Sequence, residues 1–240
     1  MNQPDFFELM GFGSAGWGAL LLRGATLTLA VAVCGLLFGS ILGIFGAWAK
    51  ISGGRVVRGM ANAYTTVLRG VPDLLIIYLI YFGSSSVLTS IGHLYGASGF
   101  IGFPAFLAGT IAIGVTSGAQ NTEVFRGAFQ SVNKGEIEAA RACGMRRLLR
   151  FRRITAPLTL RYALPGMGNV WLSALKESSL LSVTGLAELM RQAQVASGST
   201  RLPFDFYLAA AALYFVLCTV SGLVIQGAER RSARGVRRVV

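Results

Sequence analysis

Apolar residues run through this chain in blocks too long for one face of a soluble helix, and polar residues gather at the joints between blocks. Five such blocks lie near Thr26 to Ala49, Met60 to Leu88, Phe103 to Phe129, Pro157 to Thr184 and Phe206 to Ala228. Each reaches the ~20 residues that a helix needs to cross a hydrocarbon layer about 30 Å thick. The pattern predicts an all-α integral membrane protein of five transmembrane helices. The domain is single, 1–240, with its helical bundle over about 20–228, an Arg-rich loop at 134–157 and a basic tail at 229–240.

Interruptions within the blocks refine that picture. Gly35, Gly39 and Gly43 recur every four residues, and Gly114 and Gly118 repeat the spacing. Residues four apart share a helix face, so a neighbouring backbone can come close there. Packing within one chain is the simpler expectation, a subunit interface the alternative. The second block contains Arg69-Gly70-Val71-Pro72-Asp73. Pro72 removes a backbone donor and disfavours helical geometry at Val71, which predicts a break. Irregular backbone at membrane depth is tolerated where it is buried or lines a water-filled path. The fourth block is expected to be interrupted at Pro165, Gly166 and Gly168, and its Lys176 and Glu177 mark it as an interior helix. The Gly-rich residues before Ala25 predict an interfacial lead-in helix, Gly92 to Gly102 an external loop, and Ala187 to Ala196 a short external helix.

Charge orients the bundle. Lys50, Arg55 and Arg58 follow the first block; Lys134, Arg141, Arg146, Arg147, Arg150, Arg152, Arg153 and Arg161 follow the third; Arg230, Arg231, Arg234, Arg237 and Arg238 follow the fifth. The positive-inside bias makes all three regions cytoplasmic. His93 alone marks the second connection. Glu188, Arg191, Arg201 and Asp205 share the fourth, and Asp5 and Glu8 precede the first block. The N-terminus is therefore expected outside and the C-terminus in the cytoplasm.

Composition agrees: 53% of residues are hydrophobic and 13% charged, with a mean hydropathy of +0.60. The net charge of +12 would suggest nucleic acid in a soluble chain, but here the cations border apolar blocks, so no nucleic-acid partner is expected. The acidic start lacks the basic region of a secretory leader, and no cleavage is expected. Cys34, Cys143 and Cys218 are read as packing residues, with neither disulfide nor metal. His93 is the one histidine, and its external position supports no histidine-rich metal site or Ser-His-Asp triad. No catalytic residue is assigned.

The Arg-rich loop carries the most specific signal. Glu138, Ala139 and Ala140 can form a short amphipathic helix whose small alanines admit a partner groove. Gly144 breaks it, and Arg146 to Arg153 begin a second segment near the anionic membrane surface. A basic lipid-binding loop is the alternative. The register Glu138-Ala139-Ala140, Gly144, Ile154, Ala156-Pro157 resembles the EAA loop by which membrane subunits of bacterial ATP-binding-cassette importers grip their ATPase. Ala156 stands where that family usually has Leu.

Other segments resemble the polar amino-acid branch of that family. Tyr64 to Pro72 is similar to its Y-x-x-x-x-R-G-x-P segment, Glu123 to Ala140 to its E-x-x-R-G-x-x-x-S-V-x-K-G-Q-x-E-A-A stretch, and Leu175 to Leu180 to its L-K-D-T-S-L. Q-type permease subunits for histidine, lysine, arginine and ornithine and for the opines octopine and nopaline are the nearest in kind. The resemblance implies the type I importer transmembrane fold in the bacterial inner membrane. It also implies a paralogous permease partner, in preference to a homodimer, together with two ATPase subunits, a periplasmic solute-binding protein and an amino-acid substrate. The chain has no phosphate-binding loop, so no cofactor is expected on it; ATP and Mg belong to the partner ATPase.

Substrate charge rests on two carboxylates. Asp73 and Glu123 fall in apolar surroundings, where an unpaired charge costs about 2.5 to 3.5 kcal/mol on insertion scales. They are the candidate substrate-binding residues for the cationic end of a basic amino acid. The alternative is internal pairing of Asp73 with Arg69 and of Glu123 with Arg126. Arg69, Pro72, Arg126, Lys176 and Glu177 are assigned gating or structural roles, and Glu138, Ala139, Ala140 and Gly144 the coupling to the ATPase. A secondary carrier driven by protons or sodium is the competing function; it would normally need more spans and no docking loop.

Overall fold

The computed structural model describes residues 6–13 and 16–232. Asp5 and the tail arginines Arg234, Arg237 and Arg238 lie outside that range. All regular structure among the described residues is helical: α1 (Phe6–Leu9), α2 (Gly18–Ser52), α3 (Arg55–Gly70), α4 (Asp73–Leu94), α5 (Ala105–Gln130), α6 (Lys134–Ala142), α7 (Arg147–Arg150), α8 (Ala156–Glu177), α9 (Leu189–Thr200) and α10 (Pro203–Ser232). A π-helical turn, Phe151–Thr155, joins α7 to α8, and a 3₁₀ segment, Ser178–Thr184, prolongs α8.

At the centre stands α5, against which α2, α3, α4 and α8 all pack, with α2 in the longest contact. The glycine ladder makes that contact possible. A Cβ added at Gly39 would lie 2.8 Å from the Gly114 carbonyl oxygen and 2.9 Å from the Gly118 nitrogen, and one at Gly43 would lie 2.6 Å from the Asn121 Cβ. The two Gly-x-x-x-Gly series thus meet each other inside one chain.

Three helices are long and apolar enough on their own to cross a membrane: Gly18–Ser52, Asp73–Leu94 and Pro203–Ser232. The blocks expected near Phe103 to Phe129 and Pro157 to Thr184 do form long helices, α5 and α8, but these fall short of that apolarity. The reason is their interior position. Thr116, Ser117, Asn121 and Thr122 of α5 are buried against protein, so this helix owes less of its stability to contact with lipid.

Three expectations need correction. The lead-in before Ala25 is only partly separate: α1 (Phe6–Leu9) is a helix of its own, but from Gly18 the segment already belongs to α2; Gly18, Leu21 and Gly24 are buried, and Gly24 lies directly against the Leu189 backbone of α9. Pro165 does not interrupt α8, which continues through it to Glu177; Gly166 receives Val124 and Gly168 receives Ile225, so these glycines serve packing. The external helix runs Leu189–Thr200, beginning and ending later than expected. The predicted break does occur: Val71 (φ −100°, ψ 137°) and Pro72 (φ −57°, ψ 134°) are extended and separate α3 from α4. The second block is consequently two helices, and its apolar part extends beyond Leu88 to Leu94.

Candidate functional site

Where α3 gives way to α4, the extended Val71-Pro72 pair leaves a cavity of about 430 Å³. That volume lies within the usual range for small-molecule sites. Leu68, Arg69, Val71 and Asp73 form one wall, Gln120, Glu123 and Val124 of α5 a second, and Gly166, Asn169, Val170 and Ser173 of α8 a third. Helical spacing aligns the α5 and α8 contributions: Gln120 and Glu123 are three residues apart, as are Gly166 and Asn169, with Ser173 four further on. The lining sets one guanidinium beside two carboxylates, two carboxamides and a hydroxyl. Gly166 matters by what it lacks, since a Cβ there would lie 2.7 Å from Val124.

The two candidate carboxylates differ sharply. Among the described residues, no lysine or arginine lies within salt-bridge distance of Asp73, including Arg69. Asp73 opens α4, where the unpaired amide dipoles favour a negative charge. Glu123 instead receives two cations. Lys50 Nζ donates to its Oε1 at 2.5 Å, and Arg126 Nε donates to its Oε2 at 2.8 Å, with Nη2 also 2.8 Å from that oxygen in the ion pair. Lys176 is exposed and makes no ion pair with Glu177. Glu177 looks back toward Gln120 and Thr116 of α5 and lies within electrostatic range of Asp73.

The loop after α5 has well-defined caps. Asn133 opens α6 by accepting a hydrogen bond from the Gly135 amide at 2.9 Å, with Glu136 in the first turn and Arg141 in the last, the arrangement the helix dipole favours. At the other end Gly144 N–H bonds the Arg141 carbonyl (2.9 Å) and Met145 N–H the Ala140 carbonyl (3.1 Å). This paired closure requires a left-handed residue, and Gly144 has φ +75°. Ala140 is buried, α6 packs against α7 and the π turn, and Glu138 and Ala139 are exposed.

A further buried carboxylate lies outside the cavity. Glu188 caps α9, accepting from the Met190 and Arg191 amides at 2.8 Å each, from the Tyr214 hydroxyl at 2.9 Å and from Thr28 Oγ1 at 3.4 Å. It ties α2, α9 and α10 together with no exposed surface. Burial pushes its pKa above the usual glutamate range, and the four donors reduce that rise without cancelling it.

Residues 35–234 match the family model described as "Binding-protein-dependent transport system inner membrane component". The chain belongs to that family. Its relatives among such inner-membrane components include the octopine transport system permease protein OccQ of Rhizobium radiobacter, 58% identical over 98% of this chain and 100% of the relative. The nopaline permease protein NocQ of Agrobacterium fabrum is 46% identical over 95% and 98%. The histidine/lysine/arginine/ornithine permease protein HisQ of Escherichia coli is 41% identical over 93% and 97%. Among solved structures, a chain of an amino acid ABC transporter crystallised with histidines superposes with a TM-score of 0.79 at 32% identity, covering 96% of this chain and 100% of the other. The MetNI methionine transporter matches with a TM-score of 0.71 at 17% identity, over 90% and 97%, and so shares the fold.

As an inner-membrane component of this family, the chain places Arg69, Asp73 and Glu123 around one cavity, with Pro72 in the joint between Val71 and Asp73 and Arg126 ion-paired to Glu123. Lys176 stands apart, and the α6 residues follow the C-terminal end of α5. Sequence reasoning missed Lys50, Gln120, Asn169 and Ser173. Gln120 and Ser173 had a usable signal, since they share helix faces with Glu123 and Glu177. Lys50 had none, because its contacts bridge three helices.

Proposed function

We propose that this chain is a permease subunit of an ATP-binding-cassette importer that carries amino acids, specifically basic ones or basic opines, from a periplasmic binding protein into the cytoplasm. The reading has five spans, α2, the α3–α4 pair, α5, α8 and α10, with the N-terminus outside and the C-terminus inside. Its partners are a paralogous permease chain, two ATPase subunits carrying ATP and Mg, and the binding protein. The outward-facing Glu138 and Ala139 of α6 meet the ATPase, and Gly144 fixes where that helix ends.

The observation that carries the substrate assignment is Asp73, a carboxylate on the cavity wall with no cationic partner among the described residues. An unpaired carboxylate in such a place is costly, and a cationic substrate group offsets that cost. The dipole of α4 stabilises the charge in the interval between substrates. Relatives that transport octopine, nopaline and basic amino acids support the same substrate class. Alternating access would close this cavity from one side of the membrane before opening it to the other, with the extended Val71-Pro72 joint as the bend.

Uptake by Asp73→Asn tests the assignment. At limiting substrate, uptake of basic amino acids falls by about 5- to 50-fold, the equivalent of about 1 to 2.3 kcal/mol of lost charge recognition. Unchanged uptake would remove Asp73 from the site.

A further inference from the structure

Both ion pairs among the described residues meet at one carboxylate, Glu123, and the group that joins them reaches across three helices. Lys50 lies two residues before the end of α2, and its ammonium also donates to Thr65 Oγ1 of α3 at 2.6 Å. Arg126 additionally donates through Nη1 to Gln130 Oε1 at 3.0 Å, in the last turn of α5. Three residues further on, the Asn133 cap starts α6.

Lysine at the end of an apolar helix ordinarily extends its ammonium toward the headgroups. Lys50 turns inward, with only 8% of its side chain exposed. Burying an ammonium costs several kcal/mol unless a partner and hydrogen bonds offset it, and here Glu123 and Thr65 provide both. The cluster holds two cations and one anion and so is net positive. A cationic substrate reaching for Glu123 would have to displace a tethered ammonium or guanidinium, each with a far smaller entropic cost of contact than a free ligand.

We propose that Lys50, Glu123 and Arg126 form an ionic lock that clamps the α2–α3 hairpin to the cytoplasmic end of α5. Movement of α6 on its ATPase is thereby passed to the α3–α4 corner that carries Arg69, Pro72 and Asp73. Glu123 is then a positioning residue acting through Lys50, and charge recognition falls to Asp73. The inference rests on the importer reading above and adds to it the route by which the docking helix reaches the cavity.

The test uses the purified complex of both permease chains, the ATPase and the binding protein, reconstituted in liposomes. ATP hydrolysis is measured against amino-acid concentration for wild type, Lys50→Met, Glu123→Gln, the double variant and Lys50→Arg. Each single variant lowers the stimulation of hydrolysis by loaded binding protein ~5-fold or more, the low end of typical coupling energies, with the half-saturating amino-acid concentration unchanged. The double variant is no worse than either single one, and Lys50→Arg restores most of the stimulation. Thermal stability gives a second readout, because Glu123→Gln strands the buried Lys50 ammonium and the double variant does not; the double variant melts no lower than Glu123→Gln. A half-saturation shift confined to Glu123→Gln, with additive losses in the double variant, would make Glu123 a ligand contact and overturn the lock. Absent stimulation in wild type would fail the importer reading, whereas normal stimulation in wild type and in all variants would fail the lock alone.

Discussion

Gly144 and Lys50 mark the two extremes of what single residues disclose. Gly144 was legible in the sequence because its role is local: it ends a nine-residue helix in the left-handed conformation, and a side chain there costs about 1 to 2 kcal/mol. Lys50 was read only as a charge that orients the first helix, since its partners are 15 and 73 residues away. Glu188 was similarly assigned to an external loop on charge, while the structure makes it a buried cap for α9. Glu188→Gln keeps the shape but replaces one acceptor with a donor facing an amide or hydroxyl. Thermal unfolding of the purified protein should register a loss of about 1 to 3 kcal/mol. The pH dependence has a definite sign. The folded-state pKa of Glu188 is raised, so its contribution is complete below the ordinary glutamate range and declines as pH rises through the higher folded value. The stability gap between wild type and Glu188→Gln therefore narrows with rising pH, and a widening gap would contradict the assignment.

At the scale of elements, the apolar blocks were readable and their seams less so. Pro72 stops α3 because the residue before a proline avoids helical geometry and Val71 is already β-branched. Pro165 fails to stop α8 because α5 and α10 hold that helix on two sides, with Val124 and Ile225 filling the spaces over Gly166 and Gly168. Tertiary packing overrides the local preference in one case and agrees with it in the other. The start of α2 shows the same effect, since burial of Leu21 and Gly24 against α9 extends the helix into a segment that composition alone marks as a lead-in. The glycine ladder was legible as a close-approach face but did not say whose backbone approaches. Gly39→Val forces α2 away from Gly114 and Gly118, an overpacking cost of about 1 to 3 kcal/mol. Its expected consequence is reduced yield and a lower melting temperature of the isolated chain, before any partner is added. An unaltered isolated chain with defective subunit assembly would assign the ladder to an interface instead.

For the whole molecule, hydropathy and charge asymmetry outlined a membrane bundle, but among the described residues only α2, α4 and α10 are long and apolar enough to identify by themselves. The interior helices α5 and α8 trade apolarity for the polar groups that line the cavity, which is why function obscures them in a hydropathy scan. Motif spacing compensated, because the EAA register and the Arg69-Gly70-Val71-Pro72 segment fall at the two ends of the coupled path proposed above. The account as a whole requires an inward-facing α6 driven by a separate ATPase and a cavity suited to a cationic amino acid. The most direct measurement is uptake of a labelled basic amino acid into proteoliposomes containing the permease pair, with external binding protein and internal ATP, made with and without the ATPase subunits. The account predicts uptake that is vanadate-sensitive and present only with the ATPase; equal uptake in its absence, driven by an ion gradient, would contradict it.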